Sequence, residues 1–448
     1  MSQRPAGGTT LVEIPHLTAY HIPNDGRAGA SYAGDVEKIS AGDTAWVLAC
    51  AALVMLMTPG LGFFYGGLVR RKNVLSTVMH SFFILCLISV QWVLWGYSLA
   101  FGPDWKGLGI IGDLSWVGLN GVGLAPNKDY APTIPHQAFV VFQMMFAVIT
   151  PALITGAFAE RKRFKAFVLF SLLWATFVYD PLAHWVWGHG GWLSKLGALD
   201  FAGGTVVHIS SGVSALVAAW VLGRRITHAR GQEVEPHDLT MVVLGTALLW
   251  FGWFGFNAGS AFAANGLAVS AFVNTNTAAA MAALTWLTLS WAHKGVPSVA
   301  GATAGAVAGL VAITPAAGYV TPAASIIIGL LVAVVCYGFV LLRDRIRVDD
   351  ALDVWAVHGV GGTVGALCTG LFATTAINAG AANGLFYGHT EQLWVQTIAV
   401  AASWGFSAVM TFAILKFVDL VVPLRVSEHE EAMGLDLSQH SEIAYSPS

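Results

Sequence analysis

The sequence has few charged residues. Asp, Glu, Lys and Arg make up 10% of its 448 residues, while 56% are hydrophobic, whereas about 25% of a typical soluble domain is charged. So few charges cannot cover the surface of a soluble chain of this length, and no polar linker of domain-separating length interrupts residues 46–424. The composition excludes a soluble multidomain protein and, except at the ends, an intrinsically disordered one.

Basic blocks and cysteine motifs are also missing. The net charge is −3 with no long basic run, so we expect no nucleic-acid partner, because phosphates require a dense basic surface. The cysteines lie in apolar runs without CxxC spacing, which predicts small buried side chains rather than a zinc site or a disulfide framework. They are Cys50, Cys86, Cys336 and Cys368.

Apolar stretches long enough to cross a bilayer recur along the chain. A hydrocarbon core about 30 Å thick needs roughly 20 helical residues, and we identify eleven stretches, of which the eighth is short and the weakest. We therefore predict an all-α polytopic membrane protein with eleven transmembrane helices. The stretches begin near Trp46, Val74, Gln137, Ala166, Phe201, Leu239, Val269, Val299, Ala323, Trp355 and Leu393.

The basic residues predict the orientation. With the N-terminus outside, the inner loops and the tail hold all but six of the 22 Lys and Arg residues, and cytoplasmic loops are enriched in these residues. The six outer ones are Arg4, Arg27, Lys38, Lys106, Lys128 and Lys195. We therefore predict an N-out, C-in protein. Residues 1–43 would be a polar extracytoplasmic segment without a secretory signal, residues 44–424 the transmembrane domain, and residues 425–448 a cytoplasmic tail.

Two intramembrane histidines share a local pattern. His208 follows Asp200 by eight residues, and His358 follows Asp350 by the same spacing. Small residues stand three, four and seven positions after each histidine. Eight helical residues rise about 12 Å and half the hydrocarbon core is about 15 Å, so both imidazoles are expected near the midplane. Ionisable groups at that depth are costly and are by default functional candidates.

The matched histidines indicate an internal symmetry. They lie in the fifth and tenth stretches, which cross the membrane in opposite directions. This is typical of an inverted 5+5 repeat followed by a final helix, with the working site between the two halves. Small residues near each histidine would let the rings touch and share a hydrogen bond. The simpler interpretation of a lone histidine such as His80 is a core residue, and Asp200 and Asp350 also suit helix N-termini.

An aromatic cluster with a hydroxyl lies at the outward end of the sixth stretch. It contains Trp253, Phe254, Phe256 and Ser260. Each ring face attracts a small cation by about 0.5–2 kcal/mol, and the hydroxyl oxygen can accept a hydrogen bond from it. No Asp or Glu ring lines the candidate path in the sequence, which argues against an ordinary cation channel.

Four segments carry a resemblance to a known family. They are residues 200–208 (DFAGGTVVH), 252–260 (GWFGFNAGS), 63–70 (FFYGGLVR) and 357–362 (VHGVGG). Together they resemble the ammonium transporter family, and the resemblance extends over residues 42–445. It implies a transporter and not an enzyme, a homotrimer in the cell membrane, no cofactor or metal, and one narrow hydrophobic pore in each eleven-helix subunit.

The resemblance also implies roles for individual residues. Ammonium would be recruited by Phe146, Trp187 and Ser260, and Phe146 and Phe256 would form a stacked phenyl gate. Asp200 would hold the outer vestibule in shape, and Thr314 matches a further pore-region position. The pore would contain His208 and His358 as a pair. The cation would lose its proton near Asp200 or the histidines, and neutral ammonia would cross the pore. Whether the proton crosses as well stays open at this point.

The C-terminal segment resembles the cytoplasmic tail of the same family. This implies communication between subunits and contact with a PII-type signal protein. Family members usually carry His-Gly-Glu where this chain has His440, Ser441 and Glu442. Three other functions remain open at this point: an ammonia or gas channel of the Rh branch, an ammonium sensor without flux, and a membrane cytochrome with histidine-ligated haem.

Overall fold

A computed structural model describes residues 39–232, 234–346 and 348–445. Residues 1–38, which hold most of the predicted polar N-terminal segment and three of the six outer basic residues, lie outside the described ranges. Within those ranges the protein is mostly helical and has one small sheet. The predicted all-α architecture is confirmed at this level.

In the described residues ten helices are long and apolar enough to cross a membrane, and an eleventh, α8, is apolar but shorter. All eleven begin within about five residues of the predicted positions. They are α1 (Ala41–Leu68), α2 (Arg71–Phe101), α3 (His136–Phe158), α4 (Phe164–Leu196), α5 (Gly204–Leu222), α6 (Leu239–Gly259), α7 (Gly266–Lys294), α8 (Val299–Ile313), α9 (Pro322–Arg343), α10 (Trp355–Phe372) and α11 (Thr390–Val421).

Shorter elements occupy the connections and the tail. The loop between α2 and α3 contains two antiparallel strands, and the tail contains two short helices. The bounds are β1 (Pro126–Asn127), β2 (Ala131–Pro135), α12 (Glu428–Met433) and α13 (Leu435–His440), with single helical turns at Trp105–Gly107, Val117–Leu119, Ile226–Ala229 and Leu385–Tyr387.

Side-chain caps define the start of several helices. Ser40 Oγ accepts a hydrogen bond from the backbone N–H of Asp43 at 3.2 Å at the start of α1, and Asp238 accepts from Met241 at 2.9 Å before α6. Asn265 and Ser298 cap α7 and α8 in the same way. Each cap satisfies an N–H that the helix itself leaves without an acceptor, so these boundaries follow from local sequence.

Four of the membrane helices contain a widened, π-helical turn. In α5 and α10 this turn is the first of the helix and contains one of the two histidines, His208 or His358. Such turns are frequent at functional sites. The other two lie within α2 and α4, and the four ranges are Trp92–Gly96, Ala175–Tyr179, Gly204–Ile209 and Trp355–Val360.

Glycines bring α5 and α10 into backbone contact beside the histidines. A Cβ added at Gly212 of α5 would lie 2.0 Å from the backbone nitrogen of Gly359 in α10. A Cβ at Gly362 would lie 3.0 Å from the Cβ of His208. Since lipid tails give helices no hydrophobic reason to associate, such close approach through small residues holds the bundle together. The same kind of contact joins α1 to α6 at Gly245.

The tail is fastened to loops at one end of the bundle. Backbone N–H groups of Ser76, Phe164 and Ile226 donate to Asp436, Gln439 and Glu431 at 2.8, 3.2 and 2.6 Å, and Asn73 Oδ1 accepts from the N–H of Leu435 at 2.8 Å. These bonds connect the tail to three separate loops. A change in the relative positions of these loops would therefore break hydrogen bonds to the tail.

We expect Gly212→Ala to destabilise the protein by about 1–3 kcal/mol, the usual cost of overpacking a tight contact, because the added methyl group would overlap the backbone of Gly359. Thermal unfolding in detergent measures the effect. Gly405→Ala on α11 is the control, since a Cβ there meets nothing within 4 Å. Equal stability of the two variants would contradict the close contact.

We expect Ser441→Gly to stabilise the docked tail by about 1 kcal/mol. Ser441 has φ 58° at the C-terminus of α13, a left-handed conformation that costs residues other than glycine about 1–2 kcal/mol. Limited proteolysis of the tail measures the change, and the variant is expected to be cut more slowly than the parent. Faster cleavage would mean that the serine hydroxyl contributes more than the conformation costs.

Candidate functional site

The two matched histidines lie side by side inside the bundle. His208 and His358 are 1% and 4% exposed, and their Nδ1 atoms are 3.3 Å apart. The ring centroids are separated by 5.3 Å. Because a neutral imidazole has one donor and one acceptor nitrogen, this contact is a hydrogen bond in which one ring donates and the other accepts. The pair thereby couples α5 to α10.

A row of aromatic rings leads to this pair. Trp187 contacts Phe146 edge to face with centroids 6.0 Å apart, and Phe146 stacks on Phe256 at 4.1 Å with an angle of 20° between the planes. Phe256 is 6.1 Å from the ring of His208. Both phenylalanines are almost fully buried. The structure thus brings together five of the eight residues that the sequence singled out.

A narrow, apolar cavity lies beside Phe256, His208 and His358. Its free volume of about 10 Å³ is close to the minimum for a single water-sized molecule. Apart from His208 and His358, its walls carry no ionisable side chain. They are formed by Met57, Leu61, Phe64, Ile149, Leu153, Val207, Leu249, Trp253, Phe256 and Val307.

The Trp187 end of the row offers groups that suit a cation. Trp187 is half-buried and its indole N–H donates to the backbone oxygen of Asp200 at 2.9 Å, which holds the ring in place. The Ser260 hydroxyl donates to the carbonyl of Phe256 at 2.9 Å. Because its hydrogen is used in this way, the Ser260 oxygen retains lone pairs for a donor.

The Asp200 carboxylate is committed to the start of α5. It accepts from the backbone N–H groups of Gly203, Gly204 and Thr205 at 2.7–2.8 Å and from the Thr205 hydroxyl. Asp350 lies at the corresponding position before α10, where its carboxylate accepts a hydrogen bond from the backbone N–H of Trp355 at 2.6 Å. A carboxylate at a helix N-terminus satisfies orphan donors and is stabilised by the helix dipole.

Thr314 acts through its neighbour Trp253. Its hydroxyl accepts from the Trp253 indole N–H at 2.8 Å and donates to the carbonyl of Leu310 at 2.7 Å. The Trp253 ring in turn stacks on His208 with centroids 5.4 Å apart. The Thr314 side chain therefore does not line the narrow cavity, and its place in the site is to hold the tryptophan that covers one face of His208.

A wide, charged vestibule of about 980 Å³ opens at the opposite end of the row and reaches His358. Its charged lining includes Arg225, Arg343 and Asp349. Burial by itself raises the pKa of Asp349, but the guanidinium groups of Arg161 and Arg225 outweigh this and hold its pKa well below the usual range. Asp349 therefore stays ionised, and its bonds to Arg225 at 2.7–3.2 Å give the vestibule a fixed wall.

Comparison with known proteins identifies the family. The model described as the Ammonium Transporter Family matches residues 45–445. The chain belongs to the ammonium transporter family. It is 57% identical over 408 residues to the ammonium transporter of Bacillus subtilis, covering 91% of this chain and 99% of that protein. It is 49% identical to ammonium transporter Amt1 of Archaeoglobus fulgidus, covering 91% of this chain and all of that protein. The family consists of membrane transporters and not of enzymes.

Solved structures agree with this family assignment. The crystal structure of Saccharomyces cerevisiae Mep2 has a TM-score of 0.83 with 38% identity and covers 88% of this chain and 89% of its own. A protein titled Sensor Amt Protein has a TM-score of 0.81 with 30% identity, covering 89% of this chain and 98% of its own. This chain is thus a multi-pass membrane protein of the ammonium transporter family.

We expect Thr314→Val to destabilise the protein by about 1–3 kcal/mol, because the buried Trp253 N–H would lose its acceptor. Thr277→Val on α7 is the control, since the exposed Thr277 hydroxyl bonds only to its own helix at Val273. Thermal unfolding in detergent distinguishes the two. If both variants lose the same stability, the bond to Trp253 is not a structural constraint.

Proposed function

We propose that this protein transports ammonium by recruiting the cation at an outer aromatic site and conducting neutral ammonia through the pore that the histidine pair lines. The observation that carries the proposal is the uninterrupted row from Trp187 through Phe146 and Phe256 to His208 and His358, with neighbouring centroids 4.1–6.1 Å apart. Ammonium transporters at up to 57% identity support the substrate.

The proposed architecture has eleven transmembrane helices, with α8 crossing despite its length. Helices α1–α5 and α6–α10 form the inverted repeat, and α11 lies outside it. The contacts of α1 with α6 and of α5 with α10 support this arrangement, because corresponding helices of the two halves meet. The sided distribution of Lys and Arg supports an N-out, C-in orientation in the cell membrane, with domain bounds 1–43, 44–424 and 425–448.

Recruitment uses the outer end of the row. The faces of Trp187 and Phe146 attract a desolvated cation, and the Ser260 oxygen accepts one of its N–H groups. Asp200 contributes by holding the first turn of α5 and by placing its backbone oxygen on the Trp187 indole. Ammonium, with four donors, suits this combination better than potassium, which would lose its water without gaining enough oxygen ligands.

The stacked phenyl pair separates charge capture from conduction. Moving an intact charge through the apolar cavity would cost about 2.5–3.5 kcal/mol on insertion scales, whereas a neutral molecule avoids that cost. The cation therefore gives up its proton on the outer side of, or at, the histidine pair. A neutral imidazole keeps one acceptor nitrogen, so the pair has an atom that can take up a proton and return it. This route leaves proton co-transport open as part of the proposal.

The alternatives differ in what they require of the pore. Haem ligation by the histidine pair does not fit, because the rings are hydrogen-bonded to each other and the free volume between the walls is about 10 Å³. A sensor role is supported at the level of fold by the Sensor Amt Protein. An Rh-like gas channel would not need the cation-binding groups at Trp187 and Ser260. Flux measurements distinguish transport from sensing.

Oligomer and partner belong to the same proposal. We propose a homotrimer and a PII-type signal protein at the cytoplasmic face. The docking of the tail on three loops supports regulation from that side, since a partner that displaces the tail would disturb all three. The wide vestibule that ends at His358 is accessible from the same face.

We expect His208→Ala combined with His358→Ala to lose ammonium-triggered current, or the selectivity of uptake against potassium, in proteoliposomes. Removing both imidazoles deletes the only proton-accepting side chains of the narrow cavity. His293→Ala is the control, because His293 is exposed and bonds to Tyr337 outside the cavity. Unchanged rate and selectivity in the double variant would remove the histidines from the mechanism.

We expect Ser260→Ala to raise the KM for ammonium about tenfold, as loss of one hydrogen bond to a charged ligand costs about 1.5 kcal/mol. The maximal rate should change little, because the phenyl pair and the histidines remain. Ser194→Ala at the exposed end of α4 is the matched control. A change in maximal rate without a change in KM would contradict recruitment at Ser260.

A further inference from the structure

A third cavity lies between the tail and the loop that joins α1 to α2. Its volume is about 390 Å³. The loop and the first turn of α2 contribute three consecutive basic residues, Arg70, Arg71 and Lys72. The tail contributes apolar side chains from α12, α13 and the segment after them. The transport mechanism does not use this cavity, because it is separate from the row of rings and from the vestibule that ends at His358.

The apolar lining is unusual for a tail outside the membrane. After residue 424, four large apolar side chains of the described tail are strongly exposed, and all four line this cavity. They are Met433, Leu437, Ile443 and Tyr445, which are 41%, 49%, 58% and 37% exposed. Exposed apolar groups gathered at one place, beside polar ones, mark an interaction site.

The basic residues leave a positive charge on the cavity. Arg71 and Lys72 are exposed and form no ion pair with a carboxylate in residues 39–232, 234–346 and 348–445. Arg71 stacks over the ring of Tyr445 at 5.0 Å, and Lys72 donates to the backbone oxygen of Ala432. Arg70 forms an ion pair with Glu160, which also pairs with Arg225. Asp436 is the one acidic residue of the lining. Burial raises the pKa of its carboxyl and outweighs the backbone hydrogen bonds that lower it.

The cavity also lies at the membrane surface. The loop begins directly after α1 ends at Leu68 and leads into the helical core of α2 at Val74. Its basic side chains are therefore at the depth of lipid headgroups. Basic pockets next to membrane helices bind anionic headgroups, with about 1 kcal/mol for each Lys or Arg. Apolar side chains beside them suit the glycerol and acyl part of the same molecule.

We infer that this cavity binds an anionic phospholipid on the tail side of the membrane, with the phosphate on Arg71 and Lys72 and the apolar part against Leu437 and Ile443. The bound lipid connects the first loop to the tail and so holds the tail on the bundle. The inference depends on the membrane location of the chain and not on the transported substrate, so it can fail or succeed independently of ammonium transport.

The test is native mass spectrometry of the detergent-purified full chain titrated with phosphatidylglycerol. We expect Arg71→Glu to weaken binding at one site by about tenfold, since it removes one attraction and adds one repulsion. Lys165→Glu carries the same charge change on an exposed lysine at the start of α4 that does not line the cavity, and it should bind as the parent does. Phosphatidylcholine should bind more weakly to the parent chain.

Two further arms distinguish other occupants. Ile443→Ser should also weaken phosphatidylglycerol binding, because it shortens the apolar wall. Inorganic phosphate should neither bind nor compete at millimolar concentration. Equal lipid affinity in Arg71→Glu and Lys165→Glu would overturn the site, and phosphate competition would assign it to a free anion. Loss of oligomers in Arg71→Glu without loss of lipid would assign it to an interface between copies.

Discussion

The bilayer excludes charge, and the rest of the structure depends on this constraint. An ion that crosses must either be surrounded by ligands or lose its charge. The narrow cavity here has two imidazoles, indole and phenyl rings and aliphatic walls, with a free volume of about 10 Å³. It offers no shell of oxygen ligands, so the path suits a neutral molecule the size of water. The charged groups of the site lie at its two ends, at Asp200 and in the wide vestibule.

Close packing makes such a cavity possible. The histidine pair requires α5 and α10 to approach within van der Waals contact of their backbones, which Gly212 and Gly359 permit. The widened first turns of both helices place the imidazoles on the seam. Trp253 covers His208 on another side and is itself fixed by Thr314. The rings are thereby held by rigid helices rather than by loops, which suits a pore that must stay narrow and dry.

Much of this arrangement was predictable from the sequence because the membrane imposes simple rules. Apolar length predicts the helices: in the described residues the ten long apolar helices and the shorter α8 begin within about five residues of the predicted starts. The repeated spacing around His208 and His358 predicts their contact, since small residues in a membrane helix indicate close approach. The aromatic cluster already contained Phe256 and Ser260, and the resemblance to the family added Phe146 and Trp187, which as single aromatic residues have ordinary explanations in a membrane helix or at its interface.

Other parts of the site could not be predicted in this way. Wall residues such as Met57 and Leu153 are ordinary apolar residues of membrane helices, and only the packing reveals that they face the cavity. The π-helical turns have no signal in the periodicity. Thr314 was placed near the pore, but its bond to Trp253 joins residues 61 positions apart, and such a contact cannot be deduced from local sequence. The cavity beneath the tail likewise depends on contacts between residues far apart in the chain.

The central claim is that this chain alone moves ammonium through a path that rejects metal cations. The most direct measurement is uptake of radiolabelled methylammonium by proteoliposomes containing only this protein, with and without a large excess of potassium. The account predicts uptake that saturates, that ammonium inhibits by competition, and that potassium leaves unchanged. Absence of uptake, or inhibition by potassium equal to that by ammonium, would contradict it.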